Sequence, residues 1–261
     1  MTYPNYFLLL VLVAFACNTT PAKQDVGSIK PEAFLADIVP DNQMVHAGVF
    51  TPDMQDYYFT LSDVEFGSFT VMHSRQLDGS WSRPDTAFFN SEYFEHGVHF
   101  TRDNRWLYFC STRPLDTDTL ADTWHLWRCR KSDETWSDPE YVHIPGLGHK
   151  LVSHPSMTNE GRLYFHSGNT DYSDLALYFA DQHLGQFKQP ERVTFPNDMN
   201  QNTITPFVAP DESYLLFAKI ADGKEELFIS YKEDGLWNQP IRLNDVINTH
   251  NRGNPFVTPD N

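Results

Sequence analysis

The sequence has few cysteines, few basic residues and almost no long apolar runs. Of 261 residues only three are cysteine, and 19 Lys and Arg stand against 35 Asp and Glu, which gives a formal net charge of −16. Such a surface repels phosphate backbones, so nucleic acid is not an expected partner. Hydrophobic residues make up 40% of the chain and aromatic residues 15%. That content is enough for a packed core, and it excludes a chain that is disordered throughout.

The sequence also lacks the common local signatures of catalysis. It contains no Gly-x-Ser-x-Gly nucleophile turn, no phosphate-binding glycine loop and no Cys-x-x-Cys pair. A Ser-His-Asp triad stays open, because such triads are recognised by geometry rather than by sequence position. No residue is therefore predicted to be catalytic. No cofactor is expected, apart from a divalent metal that the histidines considered below could hold.

One apolar run, at residues 7–16, precedes Cys17. The run is short for a bilayer span and has the length of the apolar part of a secretory signal. Ala16 before the cysteine and the polar residues after it resemble the lipobox of bacterial lipoproteins, in which the cysteine is lipidated. We predict a signal segment at 1–17, lipidation at Cys17, a linker at 18–31, and a location in the bacterial cell envelope. A cleaved secreted protein and an uncleaved anchor are the alternatives.

The rest of the chain repeats one unit about every 50 residues. A turn followed by an aromatic residue, and by a proline three positions later, occurs at Trp81, Trp136, Phe187 and Trp237. A second marker, Thr-Pro-Asp or a variant of it, begins at residues 51, 101, 158, 209 and 258. Aromatic-rich, strand-like segments follow each of the first four markers. Four short antiparallel strands repeated every ~40–50 residues are the pattern of a β-propeller.

We therefore predict an all-β fold, a β-propeller of four-stranded antiparallel blades at residues 32–261. Five repeat starts favour five or six blades. Residues 33–40 align with the fourth strand of a blade, and residues 253–261 supply only a first strand. The last blade is thus expected to be incomplete and the chain to be C-terminally truncated.

Two further expectations concern packing. The repeated aromatic residues are expected to fill the wedges between blades, and the prolines suit an outermost strand with a free edge. Cys110 and Cys129 fall out of register on neighbouring strands, too far apart for a disulfide, so both are expected to be core thiols.

The segments APDESYLLF (209–217) and EDGLWNQPIRLND (233–245) resemble the TolB-like, or WD40-like, β-propeller repeat family of bacterial envelope proteins. The resemblance covers about residues 32–261. It implies a propeller, usually six-bladed, on a lipoprotein or periplasmic protein. It implies no shared catalytic residues.

Candidate binding residues lie on the loops that vary in length. Loops between second and third strands, and connections into each first strand, share one face of a propeller, and function concentrates in variable loops on a rigid scaffold. That face carries four histidines near the first strands and three aspartates in one loop, namely His46, His96, His154, His250, Asp116, Asp118 and Asp122. Such groups around a channel mouth could hold a transition metal or Ca²⁺, an arrangement that resembles the pectate-degrading propeller lyases.

Two functions follow as hypotheses. The first is a non-enzymatic, envelope-tethered propeller, monomeric and in contact with the membrane only through its lipid, that binds a protein or glycan partner through the loop-rich face. The alternative is a metal-dependent glycan-acting enzyme, a lyase or glycosidase, that uses His46, His96 and His154.

Overall fold

The structure is a computed structural model that describes residues 32, 34, 42–115, 122–133, 135–249 and 253–259. The chain divides into two compact units, residues 1–32 and residues 33–261, and the strands described here belong to the second. The predicted signal segment with Cys17, the linker at 18–31 and most of the strand predicted at 33–40 lie outside the described residues. Of the described residues, none forms a helix long and apolar enough to cross a membrane.

Four antiparallel blades follow one another along the chain, and the third includes a separate two-stranded ribbon. Blade I comprises β1 (Gln43–Phe50), β2 (Asp56–Asp63), β3 (Phe69–Leu77), β4 (Ser80–Trp81) and β5 (Asp85–Thr86). Blade II comprises β6 (Glu95–Phe100), β7 (Trp106–Ser111), β8 (His125–Ser132), β9 (Thr135–Trp136) and β10 (Glu140–Tyr141). Blade III comprises β11 (Leu151–Met157), β12 (Leu163–Gly168), β13 (Ala176–Ala180), β14 (Gln182–His183), β15 (Gln186–Phe187) and β16 (Glu191–Arg192). Blade IV comprises β17 (Thr203–Val208), β18 (Tyr214–Ala221), β19 (Lys224–Glu233), β20 (Leu236–Trp237) and β21 (Ile241–Arg242), after a 3₁₀ turn at Pro196–Asp198.

Each blade is a meander whose strands pair in chain order. The first strand pairs with the second, the second with the third, and the third with a two-residue outer strand, all antiparallel. The prediction of an all-β propeller with four-stranded antiparallel blades is confirmed. Four such blades are described. The fifth repeat start, residues 253–259, follows them as a segment without a described strand.

The fifth segment packs between the first and last blades. The backbone N–H of Asn254 donates to Thr205 Oγ1 at 3.2 Å. The ring of Phe256 lies 6.4 Å from that of Phe50 in blade I and 5.6 Å from that of Phe207 in blade IV. Four inner strands and this segment therefore surround one central axis.

The inner strands share a β-bulge. In β1, β6, β11 and β17 the pairing register shifts once, at the same point of each strand. The residue at that point has a positive φ in all four strands and in the fifth segment, a set that comprises Ala47, Gly97, His154, Thr205 and Asn254; we call these five residues the bulge ring. A bulge bends its strand and re-aims the neighbouring side chains, so each inner strand changes direction where it meets the axis.

The repeated aromatic residues pack between blades, as expected. Trp136 stacks on Phe88 of blade I at 5.9 Å, and Trp237 meets Tyr164 of blade III edge-on at 6.1 Å. Trp81 contacts Phe34 at 5.6 Å. The aromatic and proline cluster is therefore part of the scaffold.

The two cysteines within the blades are free and buried. Cys110 lies opposite Leu126 and Cys129 lies opposite Leu107, so the predicted absence of a disulfide between them is confirmed. Burial raises the pKa of both thiols to about 12, which keeps them protonated and unreactive.

Candidate functional site

Three spaces follow one another along the central axis. The middle one is only about 30 Å³ in volume, roughly the size of a water site, and each of the five inner segments lines it with three consecutive residues, beginning at the ring position or directly beside it. On one side lies a cavity of about 610 Å³, here called the upper cavity, and on the other a smaller one of about 100 Å³, the lower cavity. Each shares residues with the narrow middle space. The bulge ring thus closes the floor of the upper cavity.

The two cavities open on different faces. Phe66, Trp124 and Tyr172, from loops between second and third strands, line the upper cavity. Pro52, Pro210 and Pro259, from the tight turns after the inner strands, line the lower cavity (the turns that carry the Thr-Pro-Asp type marker). This is the division of faces that the repeat predicts. The larger cavity lies on the face with the variable loops, where ligand sites are concentrated.

The upper cavity brings together four histidines from three blades. His46, His96 and His154, all proposed from sequence, line it together with His166 of β12. The ring centroids of His96 and His154 are 4.5 Å apart, and those of His154 and His166 are 5.2 Å apart and stacked. The predicted histidines of the described inner strands therefore do converge.

Hydrogen bonds link these imidazoles to the blade framework. Ser153 Oγ lies 3.1 Å from His96 Nε2 and 2.9 Å from His154 Nδ1. A hydroxyl carries one hydrogen, so it donates to one imidazole and accepts from the other. His166 Nδ1 accepts the backbone N–H of Thr205 at 3.3 Å, which places the hydrogen of the neutral ring on Nε2.

Burial keeps the cavity histidines neutral. It lowers the pKa of His154 to about 3 and the pKa values of His96 and His166 well below the ordinary 6.5, with neighbouring imidazoles lowering them further. Burial also lowers the pKa of His46, whose Nε2 lies 2.7 Å from Ser62 Oγ. At neutral pH each ring is therefore both a donor and an acceptor of hydrogen bonds, and none is a cation.

This arrangement does not suit a metal ion. In the described part of the chain, no group of three or more His, Cys, Asp or Glu side chains is placed to hold one. Nε2 of His96 and Nδ1 of His154 are already hydrogen-bonded to Ser153 Oγ, and Nδ1 of His166 already accepts a backbone N–H. The proposed metal centre at these histidines stays a prediction, and the geometry gives it no support.

His166 was not among the candidate residues predicted from the sequence, and the structure places it in the cavity wall. The pairing registers explain why. His46 lies opposite Thr60 and His96 opposite Cys110, whereas in blade III the large and small residues are exchanged, with Ser153 opposite His166. Aligning the second strands of the repeats at this position would have pointed to His166.

Residues at the start of the third strands, or directly before them, supply a second ring of cavity side chains. Phe69, Trp124, Leu175 and Glu225 all line the cavity. Each stands two residues before the third-strand residue that pairs with the second strand at Thr60, Cys110, His166 and Ala218, respectively. Three of the four are apolar. Glu225 is the exception, and burial raises its pKa. The sequence pattern did not single out the three apolar positions.

Two aromatic side chains stand at the rim of the upper cavity. Phe66 is 52% exposed and Tyr172 is 60% exposed, although both are large and apolar. Both also have a left-handed backbone, with φ of 58° and 63°, a conformation that costs a bulky residue roughly 1–2 kcal/mol. Trp124 Nε1 donates to Tyr172 Oη at 2.9 Å, which ties the rim to the wall.

Of the three predicted aspartates only Asp122 is described, and it does not line the upper cavity. Asp122 is exposed and lines a separate hollow of about 370 Å³ beside Arg113 and His125. Among the other loop carboxylates, Asp63 accepts hydrogen bonds from its own loop at Glu65 and Gly67, as expected of a turn residue. Asp116, Asp118 and His250 lie outside the described residues. Only Glu225 brings a carboxylate to the described cavity wall.

Gly168 lets the loop that carries Tyr172 close against its blade. A Cβ at this position would lie 2.8 Å from the backbone oxygen of Ser173 and 2.8 Å from Leu175 Cδ2. Gly168→Ala is therefore expected to shift the loop, to lower the free energy of unfolding by about 1–3 kcal/mol, and to change the fluorescence of Trp124, whose indole bonds to Tyr172. Gly223→Ala is the control for the emission, because nothing lies within 4 Å of its Cβ position; its φ of 71° makes it lose about 1 kcal/mol of stability through backbone strain alone. Unchanged emission of Gly168→Ala would contradict the role assigned to Gly168.

Comparisons with known proteins identify the fold and no family. No family model matches the chain, and no curated protein matches it. Among solved structures, a puromycin-hydrolyzing peptidase from Mycobacterium tuberculosis aligns with a TM-score of 0.50 and 14% identity over 78% of this chain and 30% of its own. TolB from Acinetobacter baumannii aligns with a TM-score of 0.43 and 11% identity over 78% of this chain and 58% of its own.

A gluconolactonase from Xanthomonas campestris aligns with a TM-score of 0.48 and 13% identity over 76% of this chain and 61% of its own. This chain thus spans less than two thirds of the length of each of the three proteins. The chain is a β-propeller. At these identities the similarity concerns the fold alone.

Proposed function

We propose that this propeller is a non-enzymatic binding protein of the bacterial cell envelope, which takes part of a protein or glycan partner into the upper cavity. The observation that carries the proposal is the cavity itself. It is about 610 Å³ in volume, within the ~300–1,000 Å³ of ordinary ligand sites. It has a closed floor, and it opens on the face with the variable loops.

The chemistry of the wall supports binding rather than turnover. The wall is mainly apolar and aromatic, with a few polar groups, which is the usual composition of a recognition site. Ser153 is buried and bonds to two imidazoles at once, an arrangement that holds its hydroxyl in place. The location in the envelope rests on the lipobox-like residues around Cys17.

Retention of an envelope partner tests the proposal. The chain is immobilised and exposed to solubilised envelope material, and bound protein and glycan are both analysed. We expect a partner that is retained by the native chain and lost from a double variant, Phe66→Asn with Tyr172→Asn. Both positions are exposed, and Asn tolerates a left-handed backbone, so this variant is expected to remain folded.

Leu184→Asn is the matched control for the rim variant. Leu184 is 90% exposed with φ of 51°, and it lies in the turn between β14 and β15, outside the lining of the upper cavity. It should retain the partner. Equal retention by all three proteins would contradict the proposal. So would turnover of a polysaccharide or peptide that is lost in His46→Ala or His96→Ala.

A further inference from the structure

We propose that the upper cavity binds a neutral sugar unit at the end of a glycan chain. The inference rests on the proposed function, because it names the ligand of the same cavity. Three features carry it: the hydrogen-bonding character of the imidazoles, the aromatic rim, and the charge of the wall.

The imidazoles match hydroxyl groups. A neutral imidazole has one donor and one acceptor nitrogen, and a hydroxyl is likewise both donor and acceptor. The cavity already contains one such pairing, in which Ser153 Oγ lies between His96 and His154. A ligand rich in hydroxyls can extend this network without leaving buried groups unpaired, whereas an apolar ligand cannot.

The aromatic side chains match the apolar faces of a sugar ring. Phe66 and Tyr172 stand exposed at the rim, and Trp124 lies buried below them, joined to Tyr172 by a hydrogen bond. Aromatic side chains combine a large apolar surface with few rotatable bonds, and Tyr and Trp add a polar group. The ring of Phe66 lies 5.7 Å from that of His46 and 6.1 Å from that of Phe69, so an aromatic surface stands directly beside the imidazoles.

The charge of the wall disfavours acidic ligands and offers a basic ligand only one carboxylate. The described lining residues include no Lys, Arg or Asp, and their only carboxylate belongs to Glu225. With four neutral imidazoles, the wall offers no fixed positive charge to an acidic sugar, and the chain as a whole carries −16, which repels one. A single terminal unit fits best, because the bulge ring closes the floor and prevents a chain from passing through.

A set of sugars that differ in charge tests the inference. Calorimetric titrations use cellobiose, maltose and N,N′-diacetylchitobiose as neutral probes, digalacturonic acid as the anion and chitobiose as the cation. We expect binding of at least one neutral disaccharide, at least about tenfold tighter than either charged probe. The methyl glycoside of the single terminal sugar of that disaccharide is expected to retain most of the affinity, since one unit enters the cavity.

Variants place the bound sugar in the cavity. Phe66→Asn is expected to weaken binding at least about tenfold, because it removes the aromatic surface against which the sugar ring packs. Leu184→Asn should leave it unchanged.

Each other outcome overturns the inference. Preferred binding of digalacturonic acid or chitobiose would assign the cavity to an ionic ligand, and equal affinity of Phe66→Asn would place the sugar elsewhere. Affinity that rises steadily with chain length would assign the site to an internal stretch of glycan. If no sugar binds while an envelope protein is still retained through the rim, the sugar assignment fails and the proposed function stands.

Discussion

Arg113→Met is expected to lower the free energy of unfolding by about 3–5 kcal/mol, because it leaves the carboxylate of Glu95 buried without its cation. The Glu95 side chain is only 1% exposed, and Arg113 lies 2.9 Å from its Oε1. The same oxygen accepts the hydroxyls of Ser91 at 2.6 Å and Ser111 at 2.9 Å. Methionine keeps most of the volume of the arginine side chain, so the loss reports the charge rather than a cavity.

The position of this ion pair explains the size of the effect. Glu95 begins the inner strand of blade II, and Arg113 follows the second strand of the same blade. The guanidinium also donates to the backbone oxygen of Phe89, in the connection from blade I, at 2.8 Å. It stacks over the rings of Phe109 and Trp127 at 5.3 and 5.0 Å. One side chain thus joins two blades.

Urea unfolding at pH 7.5 measures the effect. Arg105→Met is the control, since Arg105 and its partner Asp103 are 77% and 56% exposed and such a pair contributes at most about 1 kcal/mol. The double variant Glu95→Gln with Arg113→Met should be more stable than Arg113→Met alone, because no charge is left unpaired. A loss below about 1 kcal/mol in Arg113→Met would show that water reaches Glu95 in solution.

The repeat determined how much of the fold could be predicted. A fixed period with alternating aromatic strands and tight turns admits one architecture, and the structure has it. It also determined the two faces, because the same strand order in every blade places equivalent loops on the same side. The convergence of His46 and His96 follows, since equivalent inner-strand positions meet at the axis. His154 joins them from the next position along its strand, in the bulge ring.

The missed site residues depend on features that do not repeat. His166 enters the cavity because blade III exchanges the large and small members of one cross-strand pair. Trp124 and Tyr172 occupy the wall and rim through loops whose length and backbone differ from blade to blade. The aspartates were expected to converge because they share a face, but a face is wide, and Asp122 lines another hollow on it.

Acidification is expected to destabilise the protein steeply below pH 6.5, through histidines that stay neutral in the folded state. Burial lowers the pKa of His99 to about 4 and that of His154 to about 3, and lowers those of His96 and His166 as well. Above pH 6.5 these rings are neutral whether the chain is folded or unfolded, so they leave stability unchanged. Below pH 6.5 the unfolded chain takes up protons that the folded chain does not, so stability falls until the pH reaches the folded pKa.

His99→Gln isolates one of these contributions. His99 Nε2 accepts the backbone N–H of Met157 at 3.1 Å and thereby links blades II and III. A glutamine oxygen can accept the same hydrogen bond but takes up no proton. Each such histidine lowers stability by about 1.4 kcal/mol per pH unit, so between pH 6.5 and 4 the wild type should lose about 3 kcal/mol more than His99→Gln does.

Urea unfolding of wild type and His99→Gln at pH 7.5, 6.5, 5.5 and 4.5 gives the dependence of the free energy of unfolding on pH for each protein. His183→Gln is the control, because His183 is an exposed histidine on an outer turn. The free energy of unfolding should fall equally steeply with decreasing pH in wild type and in His183→Gln. In His99→Gln it should fall less steeply, by the contribution of about one proton. Because His99 lines the lower cavity and not the upper one, His99→Gln should leave ligand binding on the loop-rich face unchanged at pH 7.5. Parallel slopes for all three proteins would mean that His99 is protonated in the folded state, and would contradict the neutral link between the two blades.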